Sequence, residues 1–434
     1  ADTQNEAKLP AQWDLQSCID YALEQNITIR KNRVTAESTQ IDVKTAKAAL
    51  FPSLSFSTSQ QVVNRPYQET SSRVSGSEII SSNSKTSYNG NYGLNASWTI
   101  YNGSKRLKTF KQERLNNQVA ELDVATSENT IKESIAQIYI QILYAAESVR
   151  VNENTLQVSI AQRDRGQELL NAGSIAKSDF AQLEAQVSTD RYQLVTAQAT
   201  LEDYKLQLKQ LLELDGENEM NIYLPALSDE NVLAPLPTKK DVYIRALSLR
   251  PEIEASKLNV EASELGIGIA KSSYLPTISL SAGIGTNHTS GSDFTFGEQV
   301  KNGWNNSIGL SVSVPIFNNR QTKSAVQKAK LQYETSMLSL LDEQKTLYKT
   351  IEGLWLDANS AQQRYAAANE KLKSTQISYE LISEQFNLGM KNTIELLTEK
   401  NNLLQAQQEQ LQAKYMAILN TQLLKFYQGD QLAI

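Results

Sequence analysis

The chain offers very little reactive chemistry. In 434 residues there is one cysteine, Cys18, and one histidine, His288. One of each is too few for a thiol or histidine-based nucleophilic site or for a His/Cys metal cluster. Cys18 lies in WDLQSCIDYAL, an amphipathic helix pattern, and reads as a buried, inert thiol. With no second cysteine it makes no intrachain disulfide. His288 lies in GTNHTSGSD and reads as an exposed loop residue. The chain has 48 Asp and Glu, so close carboxylate pairs arise by chance and mark no catalytic site. There is no glycine-rich phosphate loop. These residues predict a protein that is not an enzyme, with no catalytic residue, cofactor or metal. The net charge of −6, with no basic block, excludes nucleic acid as a partner, because phosphate binding needs clustered Lys and Arg.

The elements that carry so inert a set of side chains are long and thin. Hydrophobic residues make up 40% of the chain, below the roughly 45–50% of globular domains, which argues against one thick core. No run approaches the roughly 18 apolar residues of a transmembrane helix, which leaves a transmembrane β-barrel open. The start, ADTQNEAK, is polar, and a signal peptide is expected to have been removed ahead of it.

The sequence is written twice. AALFPSLSFSTS (48–59) matches SSYLPTISLSAG (272–283), aligning Pro52 with Pro276. YGLNASWTIYNG (92–103) matches IGLSVSVPIFNN (308–319), and LLNAGSIAKSDF (169–180) matches QFNLGMKNTIEL (385–396), aligning Gly173 with Gly389. The first repeat, 1–238, is predicted to hold a helix over 16–50, strands over 53–63 and 90–101, a long helix over 103–170 and a helix over 175–213. An equatorial linker follows over 215–238. The second, 239–434, is predicted to hold helices over 239–272, strands over 276–286 and 305–316, a long helix over 320–386 and a helix over 391–428. A Ser/Asn/Gly-rich polar loop within 61–90 is the longer counterpart of 286–304.

Each strand alternates with period two. Leu54 and Phe56 oppose Ser55 and Ser57; Leu94, Ala96 and Trp98 oppose Gly93, Asn95 and Ser97; Leu280, Ala282 and Ile284 oppose Ser279, Ser281 and Gly283; Ile308, Leu310 and Val312 oppose Ser307, Gly309 and Ser311. Small polar residues on one face suit a water-filled lumen better than a sandwich core. In lipid such a sheet must close, and bacterial barrels need at least about 8 strands, so four strands per chain require oligomerisation. Three chains would supply 12 strands and room for a channel. The two uninterrupted helical stretches of about 67 residues each span roughly 100 Å and signal a coiled coil or long bundle. Heptad spacing agrees: Val187, Leu194, Leu201 and Leu208, then Leu397, Leu404, Leu411 and Ile418.

In this order the motifs resemble the TolC family of outer-membrane efflux proteins across essentially the whole chain. They are WDLQSCIDYALEQN, ALSLRPEI (246–253), the FP and LP helix-to-strand junctions, VPIFNN (314–319), and the turns LLNAGS and QFNLGM. The resemblance implies a membrane α+β fold: a trimeric, 12-stranded transmembrane β-barrel with four strands per chain, continued by a 12-helix α-barrel of coiled-coil helices. It implies a passive exit duct in the outer membrane of a Gram-negative bacterium, embedded in outer-membrane lipid and extending into the periplasm. The homotrimer would serve a tripartite efflux pump or type I secretion system. Its partners would be a periplasmic adaptor (membrane fusion) protein and an inner-membrane transporter of the RND, ABC or MFS class.

The resemblance also places the glycine turns at the periplasmic tip. The adaptor-docking residues would be Asn171, Ala172, Gly173 and Ser174, with Asn387, Leu388, Gly389 and Met390. The gate or latch would comprise Ser178, Asp179, Phe386, Lys391 and Glu395, with Asp179 bonding Lys391 of the next hairpin. Phe386 stands where the family has a tyrosine and Thr398 where it has a second ring acid, so of that acidic ring only Glu395 remains. Charges that merely favour a helix start are the alternative reading of Asp179, Lys391 and Glu395. A soluble periplasmic coiled-coil adaptor or structural protein is the rival function; it accounts for the helices but not for four Ser/Gly-faced strands.

Overall fold

The computed structural model describes residues 10–67, 71–75, 77–82, 85–215, 219–228 and 232–433. Its elements run α1 (Leu15–Gln25), α2 (Ile27–Ala48), β1 (Ser53–Asn64), β2 (Ser71–Ser75), β3 (Glu78–Ser82), β4 (Thr86–Asn102), α3 (Lys105–Asn171) and α4 (Lys177–Leu211). The second half runs α5 (Lys239–Leu249), α6 (Pro251–Ser272), β5 (Thr277–Thr289), α7 (Phe296–Asn302), β6 (Asn305–Ser313), α8 (Gln321–Asn387) and α9 (Thr393–Tyr427). Helix lengths match in pairs: 67 residues for α3 and α8, 35 for α4 and α9, 22 for α2 and α6, and 11 for α1 and α5.

Four expectations change. The helix over 16–50 is broken at Asn26. This residue is 3% exposed; its Oδ1 accepts the Thr28 and Ile29 amides, so it caps α2, and its Nδ2 donates to the Leu211 carbonyl at 3.0 Å. The polar loop within 61–90 is partly strand: β2 pairs with β3 in a separate ribbon, and β4 begins at Thr86. The last strand, expected to reach 316, stops at Ser313, two residues before Pro315, because proline has no N–H for the ladder. His288 is not in a loop: it lies in β5, half-buried, stacked on Tyr92 at 5.7 Å with Phe296 edge-on at 5.0 Å.

Contacts divide the chain into two compact units, and each draws on both sequence halves. The first comprises Ala1–Thr35, Glu121–Ala255 and Leu341–Ile434; the second comprises Ala36–Ala120 and Ser256–Leu340. The first unit holds the apolar core, where Cys18, Ile29, Ile135, Leu143, Leu208 and Tyr365 are fully or almost fully buried. Burial pushes the Cys18 thiol up to about 12, so it is inert at neutral pH.

The irregular linker is tied to this core through its backbone. Trp13 N–H donates to Asn221 O, and Tyr223 N–H to Trp13 O, both at 2.8 Å. Gln362 donates to the Val232 and Ala234 carbonyls, Trp355 Nε1 to Pro237 O, and Lys414 Nζ to Leu227 O. Helix side chains thus satisfy carbonyls of the linker's irregular backbone.

The α5–α6 break uses different chemistry from the α1–α2 break. Arg250, 9% exposed at its side chain, sits before Pro251 and donates through Nη2 to Glu133 and through Nε to Glu252, each at 2.8 Å. Its guanidinium lies 3.9 Å over the Tyr427 ring. Burial outweighs the guanidinium and holds the Glu133 carboxyl above its usual range.

The second unit holds the main sheet. At its strand-to-helix corner Gly103 takes φ +66°, and a Cβ there would stand 2.8 Å from the Ser272 carbonyl oxygen, so only glycine fits.

Candidate functional site

The sheet order is β1-β4-β5-β6, all antiparallel. Register carries the alternation across all four strands up to a β4 bulge between Thr99 and Tyr101. Phe56 pairs with Leu94 and Leu94 with Ile284; Trp98 pairs with Leu280 and Leu280 with Leu310. In these rows one face is therefore apolar, and it turns polar further along at Thr58, Gln60, Thr286 and Asn306. On the other, Ser53, Ser97, Ser281 and Gly309 form one row, and Ser55, Asn95, Gly283 and Ser307 the next. Ser53 and Ser97 share a 2.8 Å hydroxyl contact across the strands.

Among the described residues, neither face of the outermost strands is covered. Leu54 is 70% exposed, Phe56 68%, Ile308 84% and Leu310 65%, and every residue of β6 is exposed. Among the described residues, the order leaves β1 and β6 as the two edges of this sheet.

The two glycine turns have the same geometry. Gly173 takes φ +73° and Gly389 +75°. Ser174 N–H donates to Leu169 O and Gly173 N–H to Leu170 O; Met390 N–H donates to Gln385 O and Gly389 N–H to Phe386 O. Each is a Schellman ending, which needs a residue in the left-handed region after the last helical turn. Their side chains differ. Asn171, Ala172 and Ser174 are small and exposed, whereas Leu388 is 74% exposed and Met390 70%, with Ile394 alongside at 62%.

The helix starts beyond the turns also differ. At α9 the Asn392 side chain accepts the Glu395 amide at 2.9 Å, and Glu395 Oε2 accepts the Asn392 amide at 3.1 Å, a complete capping box. Lys391 Nζ meets Glu395 Oε1 at 2.6 Å. The Lys391 bond and the Asn392 amide hold the Glu395 carboxyl below its ordinary range. At α4 the N-cap is Ala176, which has no capping atom, and only the return bond to Asp179 forms, at 3.4 Å. Within one chain, then, Lys391 and Glu395 come together, Asp179 serves its own helix start, Ser178 is exposed, and Phe386 is buried at 4% exposure.

The sequence reading missed a buried polar cluster roughly three to five helical turns from the glycine turns. Asp190, Lys400 and Ser159 are 2%, 3% and 1% exposed and bond one another. A signal existed: Asp190 completes the buried i, i+4, i+7 row of Leu183 and Val187, and Lys400 sits between buried Leu396 and Leu403.

Comparison with known proteins agrees with this architecture. The family model described as "Outer membrane efflux protein" matches residues 18–213 and 242–429. The chain is 24% identical over 294 residues to outer membrane efflux protein BepC of Brucella suis biovar 1 (strain 1330), covering 67% of this chain and 61% of that one. It is 23% identical over 336 residues to outer membrane protein TolC of Escherichia coli (strain K12), covering 75% of this chain and 66% of that one. The matched region thus spans under two thirds of either relative's length. The crystal structure of CusC superimposes with a TM-score of 0.83 at 18% identity, covering 98% of this chain and 96% of that chain. The family match over most of its length and the shared fold together establish that the chain belongs to the outer membrane efflux protein family.

Proposed function

We propose that the chain is one third of a passive outer-membrane exit duct. Three copies close a 12-stranded barrel in lipid, and their long helices continue it as a 12-helix barrel through the periplasm. The observation that carries this reading is the open sheet. Among the described residues, nothing covers the apolar face of its outer strands, its opposite face carries Ser, Gly and Asn, and neither β1 nor β6 has a further strand beside it. A bilayer core offers no water to such edges, so β6 of one copy must find β1 of another. Four strands per chain then require at least two copies, and three leave an aqueous lumen.

The duct has no energy source in this chain. An inner-membrane transporter of the RND, ABC or MFS class supplies it, coupled through a periplasmic adaptor that docks at 171–174 and 387–390. Detergent extraction and mass measurement test the closure. A complex of three chains that resists unheated SDS is expected. A monomer stable in aqueous buffer overturns the duct and favours a soluble coiled-coil protein.

The gate is proposed at the same tip. Asp179 of one hairpin and Lys391 of the next hairpin form a latch, for which Lys391 leaves its Glu395 contact. Exposed pairs contribute about 0–1 kcal/mol each, weak enough for a docking partner to open. Lys391→Ala is expected to raise the single-channel conductance of the purified trimer; unchanged conductance removes Lys391 from the latch.

A further inference from the structure

Both halves of the main sheet follow one pairing rule. In the repeat β1 corresponds to β5 and β4 to β6. Ser53, Ser55 and Ser57 match Thr277, Ser279 and Ser281, and Gly93, Asn95 and Ser97 match Gly309, Ser311 and Ser313. Between β1 and β4 the pairs are Ser53 with Ser97, Ser55 with Asn95 and Ser57 with Gly93. Between β5 and β6 they are Thr277 with Ser313, Ser279 with Ser311 and Ser281 with Gly309. These are the same three positions of the repeat, although Thr277 replaces Ser53 and Ser311 replaces Asn95.

β4 has a second neighbour and β6 does not. On the far side of β4 lies β5, with Ser97 opposite Ser281, Ala96 opposite Ala282 and Asn95 opposite Gly283. Among the described residues no strand stands beside the outer edge of β6. The repeat calls there for the counterpart of β5, which is β1. The chain's own β1 is the opposite edge of the same sheet, and four strands are too few to close on themselves. The β1 that fits is therefore that of a second copy.

We propose that β6 of one copy pairs with β1 of the next in the register that β4 and β5 hold inside the chain: Ser313 opposite Ser57, Val312 opposite Thr58, Ser311 opposite Ser59 and Leu310 opposite Gln60 of the next copy. The proposal rests on the closed-barrel reading and adds the alignment of the seam between copies.

The faces agree with this register. Ser313 and Ser311 meet Ser57 and Ser59 on the small polar side, and Val312 meets Thr58 on the other. A slip of one residue would turn Leu310 and Val312 to the polar side. Slips of two residues keep the faces, and stagger decides between them. One row of the polar face runs through Ser53, Ser97, Ser281 and Gly309. Ser281 is the repeat counterpart of Ser57, so from β1 to β5 the row moves from the level of Ser53 to that of Ser57. In the proposed register Gly309 meets Gln61 of the next copy, and the second half of the row makes the same step again. Stagger sets strand tilt in a closed barrel, so equal steps give every strand one tilt. Meeting Ser59 or Val63 instead would make the seam between copies unlike the seam inside each.

Disulfide trapping on the full chain in detergent tests the register, in a Cys18→Ala background. Ser311→Cys is combined in turn with Ser57→Cys, Ser59→Cys and Gln61→Cys, three partners on one face that differ only in register. Directly opposite residues lie about 4.5–5.5 Å apart at Cα, within disulfide reach, whereas diagonal neighbours lie about 7–8 Å apart. The paired positions are on opposite edges of the sheet, so a bond joins copies and reads as covalent dimers and trimers on boiled, non-reducing SDS gels. Under mild oxidation with copper phenanthroline, the pair with Ser59 is expected to bond at least about tenfold faster than the pairs with Ser57 and Gln61. Ser313→Cys with Ser57→Cys, the next polar-face pair of the same register, is expected to bond as readily. Faster bonding of Ser311→Cys to position 57 or 61 overturns the register. So does the lack of any bond in a complex whose mass is three chains. A mass of one chain defeats the closed-barrel reading itself, and the register with it.

Discussion

Leu310→Arg is expected to abolish the assembled oligomer, whereas Ser311→Arg, one residue along the same strand, is expected to leave assembly intact and reduce conductance. The two positions are next to one another in β6 and lie on opposite faces of the sheet, fixed by the pairs Leu280 with Leu310 and Ser279 with Ser311. Leu310 is 65% exposed in the single chain, so nothing in this chain's own packing is disturbed by a longer side chain. Its cost arises only where the exposed face meets lipid. An arginine on the lipid face near the bilayer centre costs about 2–4 kcal/mol, and the proposed trimer would carry three. Arg at 311 would instead project into the aqueous lumen, where it adds positive charge and bulk. The measurements are the yield of SDS-resistant trimer in membranes and the single-channel conductance. If both variants assemble equally, the sheet does not lie in a bilayer.

Arg250→Met should destabilise the first compact unit by about 3–5 kcal/mol, because it leaves the Glu133 and Glu252 carboxylates without their shared cation. It also removes the stack on Tyr427. Arg250→Lys keeps the charge but cannot bridge both acids and cover the ring at once, so it should recover only part of the loss. Thermal or denaturant unfolding in detergent, followed by tryptophan fluorescence, checks the order parent, Lys, Met.

The pH dependence has a definite sign. Glu133 already has a raised pKa from burial, and loss of Arg250 raises it further. A group whose folded pKa is raised contributes stability at low pH that disappears as pH climbs through the folded value. The deficit of Arg250→Met should therefore be smaller near about pH 5 than at neutral pH. A deficit that grows on acidification would mean that the acids are not the source of the instability.

Periodicity was sufficient to read most of the architecture. Alternation in LSFST, YGLNASW, ISLSAGI and IGLSVSV gave the strands and their two faces, because a strand's side chains must point to opposite sides whatever surrounds it. The absence of Pro, with a single Gly in each (Gly166 and Gly353), over two long stretches gave helices that the structure ends at Asn171 and Asn387, each followed by a glycine turn. Local chemistry of this kind needs no knowledge of neighbours. The break at Asn26 was harder, since its side chain is held by the carbonyl of Leu211, far along the chain.

What the sequence by itself determined was therefore the order of elements, the apolar and polar faces of the strands, and the poverty of reactive groups. What only the tertiary structure decided was which charges meet. Within the single chain Asp179 and Lys391 turn to their own helix starts, while Asp190 and Lys400, on apolar rows of different helices, find each other in the interior. The physical reason is that periodicity is set within about one turn of chain, whereas a buried ion pair depends on how separate helices pack, a relation that no single stretch of sequence contains.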